Sequence, residues 1–278
     1  MFERISNSWE LVKASWNVLR ADKELIVFPI VSLIGAIIVT LTFVIPTILT
    51  GVYNNVAAGE SRFLAGVVAF VFYVVLYTVI FYCNTALVGA ALIRLKGGDP
   101  TLHDGFRIAN EHLGSIFMYS LISATVGMIL RWIRDKGILG RIAAGLFGMA
   151  WNLATYFVVP ILVTQQVSPI EAVKRSTALL KKTWGEQVVG NLGIGAVTGL
   201  VIFGTIVVGA VLSILLAGVS GWLSLAVGGL FLLAIVAIGL VSSALSGIYT
   251  AAVFQYASTG TSGAFFEAGL IRDAFRTK

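Results

Sequence analysis

Long apolar segments separated by short polar ones run along the whole chain and predict its architecture. The extreme case is the stretch from Gln187 to Phe266, which is 80 residues long and contains no Lys, Arg, Asp or Glu. A charged side chain at the centre of a bilayer costs roughly 2.5–3.5 kcal/mol on insertion scales, so membrane-crossing sequences exclude charge. The pattern predicts a protein embedded in lipid.

Six apolar segments approach or exceed the roughly 20 residues that a membrane-spanning helix needs. The third is short and the sixth contains Gly228-Gly229, where a helix could break, so five and seven spans are open alternatives. Pro46 and Pro160 lie within spans, and each is expected to kink its helix because proline removes a backbone donor. The predicted spans are Leu25–Gly51, Phe63–Ile93, Leu113–Leu130, Ile142–Val167, Val188–Gly218 and Trp222–Tyr256.

Polar segments before the first, third and fifth spans have the periodicity of helices that lie on a membrane surface. In the first segment, 1–24, apolar side chains recur every three or four residues from Ile5 to Leu19, which places them on one helical face. The sequence Ser168-Pro169-Ile170-Glu171 is a capping box that predicts the start of a later one, and Asp99-Pro100 is expected to start another. The other amphipathic segments are predicted near 99–112, 168–186 and 264–278.

These elements predict an all-α fold, a polytopic membrane helix bundle of about six transmembrane helices. The bundle is expected to consist of three units, each with one amphipathic helix followed by a helical hairpin. A single integral membrane domain covers residues 1–278, with the transmembrane bundle at 25–256.

Basic residues predict the orientation, because cytoplasmic loops of membrane proteins are enriched in Lys and Arg. With the N-terminus inside, 14 Lys and Arg residues fall on the cytoplasmic side and 5 on the other. Both termini are therefore expected in the cytoplasm, with the protein in the cell membrane. The cluster Arg131–Arg141 violates the rule, and one interpretation is that the third and fourth apolar segments form a re-entrant pair.

The composition is typical of a membrane protein and argues against a soluble domain or a nucleic-acid-binding protein. Hydrophobic residues make up 58% of the 278 residues and charged residues 12%, compared with about 25% charged in soluble domains. The net charge of +6 is attributed to the orientation of the protein in the membrane and to contact with anionic lipids. The sequence has no basic patch interleaved with aromatic residues, the pattern that would indicate binding of nucleic acid. Cys83 is the only cysteine, which rules out an intrachain disulfide.

The sequence carries no enzyme, cofactor or metal signature. A P-loop, a dinucleotide-binding fingerprint and a G-x-S-x-G elbow are all missing. His103 and His112 are nine residues apart, so on one helix they would point in nearly opposite directions. A non-catalytic protein without cofactor or metal is therefore predicted.

Two sets of residues are candidates for contacts with a ligand. Asparagines within the spans could line a polar cavity, although we favour hydrogen bonds between helices, worth about 0.6 kcal/mol on average; they are Asn84, Asn152 and Asn191. Basic and aromatic residues of the third surface helix could bind anionic headgroups, with ordinary positive-inside charge as an equal alternative. They are Lys174, Arg175, Lys181, Lys182 and Trp184.

Small residues spaced four apart mark candidate helix-packing positions in the last two spans. Such residues let helix backbones approach closely, either within one chain, which we favour, or between copies. The sequence leaves open whether the protein forms a homo-oligomer or joins other membrane subunits. The positions are Gly195, Gly199, Gly239, Ser243 and Gly247.

Several short sequences carry a family resemblance. They are Thr155-Tyr156-Phe157-Val158-Val159-Pro160, Ser168-Pro169-Ile170-Glu171-Ala172 and Thr183-Trp184-Gly185-Glu186, with Phe2-Glu3-Arg4 and Ser8-Trp9 near the N-terminus. Over most of its length the chain resembles an uncharacterised prokaryotic family of six-span integral membrane proteins. Its pattern of a surface helix before a helical hairpin is distantly similar to the membrane domain of glycerophosphodiester phosphodiesterases. The resemblance implies the topology and no activity.

Two hypotheses for function follow from these features. The leading one is a non-catalytic, lipid-engaging scaffold or accessory component, because the chain has four amphipathic segments. The alternative is a channel or facilitator for a small neutral or lipid-like solute. Charge-coupled transport is disfavoured, since the predicted spans contain no ionisable Asp, Glu, Lys, Arg or His.

Overall fold

The computed structural model describes residues 2–50, 62–184, 191–218 and 220–260, and the regular elements within these ranges are all helical. The predicted amphipathic segment 264–278 lies outside them. In chain order the helices are α1 (Phe2–Ala21), a 3₁₀ turn (Lys23–Ile26), α2 (Val27–Leu49), α3 (Arg62–Leu95), α4 (Leu102–Glu111), α5 (Leu113–Arg134), α6 (Ile138–Ala154), α7 (Val158–Thr164), α8 (Pro169–Trp184), α9 (Asn191–Ala217) and α10 (Gly221–Thr259).

The prediction of an all-α membrane bundle is confirmed. Among the described residues, 6 helical segments are long and apolar enough to cross a membrane. They are α2, α3, α5, α6 with α7, α9 and α10, and the helices α1, α4 and α8 precede successive pairs of spans. The third span reaches Arg134 and the sixth continues through Gly228-Gly229 without a break.

The fourth span differs from the prediction because it consists of two helices. α6 ends at Ala154, α7 begins at Val158, and residues 155–157 form a turn between them. Pro160 therefore lies in the first turn of α7, where a backbone N–H would have no intrahelical partner, instead of kinking a continuous helix. Pro46 lies within α2, as predicted.

The starts of α4 and α8 are fixed by side chains that cap them. At α4 the Asp104 N–H donates to the Thr101 hydroxyl at 3.2 Å, and the Thr101 N–H donates to the Asp104 carboxylate at 3.0 Å. The Thr101 hydroxyl also donates to the Asp104 carboxylate at 2.7 Å, and this bond, followed by the one from the Thr101 N–H, lowers the pKa of Asp104. The start predicted at Asp99-Pro100 was therefore wrong by about two residues.

α8 begins at Pro169, where the sequence placed it. The Glu171 N–H donates to the Ser168 hydroxyl at 3.4 Å. The carboxylate of Glu171, however, pairs with Arg175 at 3.0 Å along the helix.

Burial divides the bundle into two halves along the membrane normal. The packed half contains α1, α4, α7 and α8 with the C-terminal parts of α3 and α10, and it holds a continuous core around Leu87, Phe157 and Tyr249. The open half contains the C-terminal end of α2, the N-terminal ends of α3 and α10, and the turn between α5 and α6. Its apolar side chains are exposed, with Leu49, Phe63, Leu139 and Trp222 between 80% and 87% accessible.

α3 is the central helix of the bundle. It packs against α2, α4, α5, α7 and α10. Among the described residues the α5–α6 and α9–α10 hairpins make no extensive contact with each other, whereas α10 contacts α7 and α8 in the packed half. We call the region between these two hairpins in the open half the cleft.

Arg94, at the C-terminal end of α3, joins three elements on the surface of the packed half. Its guanidinium donates to the Asp99 carboxylate at 2.7 Å, to the Gly98 carbonyl at 3.2 Å and to the Ala21 carbonyl at the end of α1 at 3.1 Å. Close by, the carboxylate of Glu24 accepts a hydrogen bond from the Leu102 N–H at 2.8 Å. These bonds fix α1 and α4 to the end of α3.

Candidate functional site

A cavity of about 340 Å³ lies where the packed half meets the cleft. Helices α2, α3, α5 and α10 and the 155–157 turn all contribute to its wall. The volume falls at the lower end of the roughly 300–1,000 Å³ that is usual for small-molecule sites. It is large enough for part of a lipid or for a small solute.

The lining of this cavity is uncharged and partly polar. Hydroxyl and amide groups there can both donate and accept hydrogen bonds, and no Asp, Glu, Lys, Arg or His of the described residues contributes to the wall. In the described ranges of the chain, no three His, Cys, Asp or Glu side chains come together as metal ligands. The polar lining residues are Ser32, Cys83, Asn84, Tyr119, Thr155, Tyr156, Ser243, Ser246 and Thr250.

The break in the fourth span places two of these residues, Thr155 and Tyr156, in the wall. The N–H of Phe157 donates to the hydroxyl of Ser176 on α8 at 3.0 Å, and both residues are fully buried. Non-helical backbone at membrane depth is tolerated only where protein buries it or where it lines a cavity. Both conditions hold for residues 155–157, so the turn is compatible with a position inside the membrane and forms part of the site.

α10 brings a stripe of small and hydroxylated residues to the same wall. Ser243, Ser246, Gly247 and Thr250 recur at offsets 0, 3, 4 and 7, which is the spacing of one helical face. A Cβ atom on Gly247 would collide with the Leu87 side chain of α3. Glycine at this position therefore allows α10 to approach α3 closely.

The other predicted packing glycines lie in different surroundings. A Cβ atom on Gly195, Gly199 or Gly239 would meet nothing within 4 Å. Gly209, which belongs to a stripe of small residues with Ser213 and Ala217 in the sequence, is a position where α9 approaches α10 closely, since a Cβ there would lie 2.6 Å from the Phe231 ring.

The three candidate asparagines do not converge on one site. Asn84 lines the cavity, whereas Asn152 is exposed and is not part of the wall. Asn191 is the first residue of α9, and its side chain lies outside the described part of the structure.

The candidate headgroup contacts all lie on α8, which buries Ala172, Ser176 and Leu180. Lys174 and Lys181 are exposed on its outer side. Arg175 interacts within the protein, because its guanidinium pairs with the Glu171 carboxylate and donates a hydrogen bond to the Gln165 side chain at 2.6 Å. The side chains of Lys182 and Trp184 lie outside the described residues.

The hydroxyl residues in the cavity wall were not identified from the sequence as a site. Only Asn84 had been proposed for a polar cavity, and Ser243 and Gly247 for packing. The helical spacing of Ser243, Ser246 and Thr250 was the available signal. The convergence with Ser32 and Thr155 depends on packing between distant helices, which spacing along one chain does not reveal.

Comparison with known proteins identifies a family without assigning an activity. A model described as "Family of unknown function (DUF6159)" matches residues 63–265, about three quarters of the chain. No curated protein and no solved structure matches. None of these comparisons supports the distant similarity to the membrane domain of glycerophosphodiester phosphodiesterases.

Proposed function

We propose that this chain, which belongs to the DUF6159 family of unknown function, is a non-catalytic membrane protein that binds an uncharged, lipid-like molecule in its cavity. The six apolar segments support a multi-pass membrane protein. The observation that carries the binding proposal is the cavity at the break in the fourth span, whose wall, as far as the structure describes the chain, contains hydroxyl and amide groups but no charged side chain.

Access to the cavity favours a lipid over a water-soluble ligand. Ser243 is exposed at the rim of the cavity, next to the cleft between the α5–α6 and α9–α10 hairpins. Large apolar side chains such as Phe147 and Leu233 are 63% and 67% exposed on these hairpins. Hydroxyls can donate to the ester carbonyls of a glyceride, while its acyl chains stay in the apolar cleft.

The surface of the packed half is proposed to face the cytoplasm and anionic headgroups. It carries most of the basic residues, including the exposed Lys174 and Lys181 on α8. Each basic residue close to an anionic surface contributes about 1 kcal/mol to attraction. In this arrangement both termini are cytoplasmic and the protein lies in the cell membrane.

A photoactivatable diacylglycerol, reconstituted with the full chain and analysed by mass spectrometry, tests the cavity. Crosslinks are expected within 243–250 and 155–159. Ser246→Leu fills the cavity and is expected to reduce these crosslinks about fivefold, since overpacking a filled site costs about 1 kcal/mol or more.

Thr205→Leu is the matched control, because Thr205 is on α9 outside the cavity and its hydroxyl donates to its own helix at 2.8 Å. Crosslinking should be unchanged in this variant. Labelling spread evenly over the lipid-facing surface, with no loss in Ser246→Leu, would reject the proposal.

A facilitator for a small neutral solute is the second candidate. It is favoured by the broken fourth span, because discontinuous helices form the substrate sites of many transporters. Leu87 and Val159, however, are buried in the wall of the cavity, and the core around Leu87 fills the packed half, which argues against a path through it. Glycerol entry into proteoliposomes no faster than into protein-free liposomes would reject this candidate and leave lipid binding intact.

A further inference from the structure

The turn between α5 and α6 carries basic residues that the cavity does not explain. We call residues 131–141 the α5–α6 tip. It contains four basic residues and a single acidic one, Asp135. The tip lies in the open half, on the side where the positive-inside rule predicts few basic residues. The presence of basic residues at the tip therefore needs an explanation other than the positive-inside rule or the cavity.

The position of the tip along the span places it at headgroup level. α5 starts at Leu113 in the packed half, and Arg131 follows 18 residues later. At 1.5 Å per residue this is about 27 Å, close to the roughly 30 Å thickness of the hydrocarbon core. The α5–α6 pair is thus long enough to cross the membrane and bring the tip to the opposite leaflet. A re-entrant pair is not required.

The side chains of the tip are arranged as an interfacial surface. Trp132 is 64% exposed, and the Lys136 ammonium lies 4.6 Å from the centre of its ring. Tryptophan prefers the membrane–water interface. Arg131 donates to the Tyr73 hydroxyl of α3 at 3.0 Å, which fixes its guanidinium against the bundle and uses one of its five N–H donors.

The basic groups of the tip are available for an anionic ligand. Arg134, Lys136 and Arg141 are exposed. In the described part of the chain, no ion pair is formed by these residues or by Arg131. Arginine matches the geometry of phosphate oxygens with paired N–H donors, and lysine adds a point charge.

We infer that the α5–α6 tip binds the phosphate groups of anionic phospholipids in the leaflet opposite the packed half. The apolar residues Ile138 and Leu139, which are 72% and 82% exposed, lie beside the acyl chains of the same lipids. This site is separate from the cavity and does not depend on its ligand.

Local quenching by labelled lipids tests the site in the full chain. Ile138→Cys gives a position for a fluorophore at the tip, and the protein without this substitution is the control for any labelling of the native Cys83, which is 3% exposed. The labelled protein is reconstituted in phosphatidylcholine vesicles that contain nitroxide-labelled phosphatidylglycerol or, separately, nitroxide-labelled phosphatidylcholine. Phosphatidylglycerol is expected to quench about fivefold more strongly at low mole fraction, because the basic cluster concentrates it.

Two variants separate a site at the tip from a general effect of charge. Neutralisation by R134Q/K136Q/R141Q in the Ile138→Cys background should make the two lipids quench equally. A fluorophore on Leu215→Cys, near the end of α9 in the same half and 66% exposed, should show no preference. Equal quenching by the two lipids at residue 138 of the otherwise unchanged protein, or the same preference at residue 215, would overturn the inference.

Discussion

The packed and open halves of α3 and α10 are both apolar, yet only one half of each helix is buried. In α10, residues 244–255 are almost entirely buried, whereas Leu230, Leu232 and Leu233 are between 62% and 67% exposed. In α3 the same contrast separates residues 86–92 from Phe63 and Leu64, which are 87% and 51% exposed.

Residue size, more than hydrophobicity, distinguishes these halves. The buried parts are rich in small residues, such as Ala90 and Ala91 in α3 and Ala251 and Ala252 in α10. Lipid tails are as apolar as leucine, so a membrane helix gains little from burying leucine and is held by close packing instead. Small residues permit that packing, and large ones face the lipid.

Exchanging glycine for leucine in each half is the strongest test of this comparison. Gly247→Leu is expected to lower the free energy of unfolding by about 3 kcal/mol, because the new side chain must displace Leu87. Gly239→Leu, two turns earlier in open space, is expected to change it by less than about 0.5 kcal/mol. Thermal unfolding in detergent measures both, and equal losses would contradict a difference in packing.

Replacing one arginine in the packed half and, separately, one in the open half should give the next largest difference in the free energy of unfolding. Arg94→Met breaks bonds to Asp99, Gly98 and Ala21, and hydrogen bonds to charged groups are worth about 1.5–3 kcal/mol. We expect a loss of about 2 kcal/mol in the free energy of unfolding. Arg134→Met at the exposed tip serves as the control and should lose less than about 0.5 kcal/mol. An equally stable Arg94→Met protein would show that this junction does not hold the packed end.

The smallest expected effect is on the pH dependence of stability, and it comes from Asp22, just before the 3₁₀ turn. Burial raises the pKa of Asp22 above its usual value of 3.8, although the Glu24 N–H donates to it at 3.2 Å. The folded protein therefore takes up this proton more readily than the unfolded chain, so stability rises as the pH falls through the raised pKa. It stops rising near 3.8, where the unfolded chain is also protonated.

Asp22→Asn should remove this part of the pH dependence while keeping an oxygen acceptor for Glu24. The expected result is a flatter profile of unfolding temperature between neutral pH and the usual Asp pKa. Parallel profiles for the unmodified protein and Asp22→Asn would disprove the effect of burial.

Sequence periodicity was sufficient for the spans and for the helices that precede them, because exclusion of charge and capping residues are local signals. Sequence periodicity did not predict that the fourth span is interrupted by a turn at residues 155–157. Pro160 can occupy either a kinked helix or the first turn of a new one, and the hydroxyl of Ser176, nineteen residues from Phe157, stabilises the second arrangement. The cavity likewise depends on which faces of distant helices meet.

The unequal lengths of the spans have a consequence for the surrounding bilayer. α7 is buried, so lipid meets the fourth span mainly along α6, whose 17 residues measure about 25 Å. α10 has 39 residues, but residues 244–255 are almost entirely buried, so lipid meets it mainly along residues 221–243, which measure about 34 Å. The lipid-exposed length is therefore about 10 Å shorter at α6 than at α10, and we expect short-chain lipids to gather beside α6.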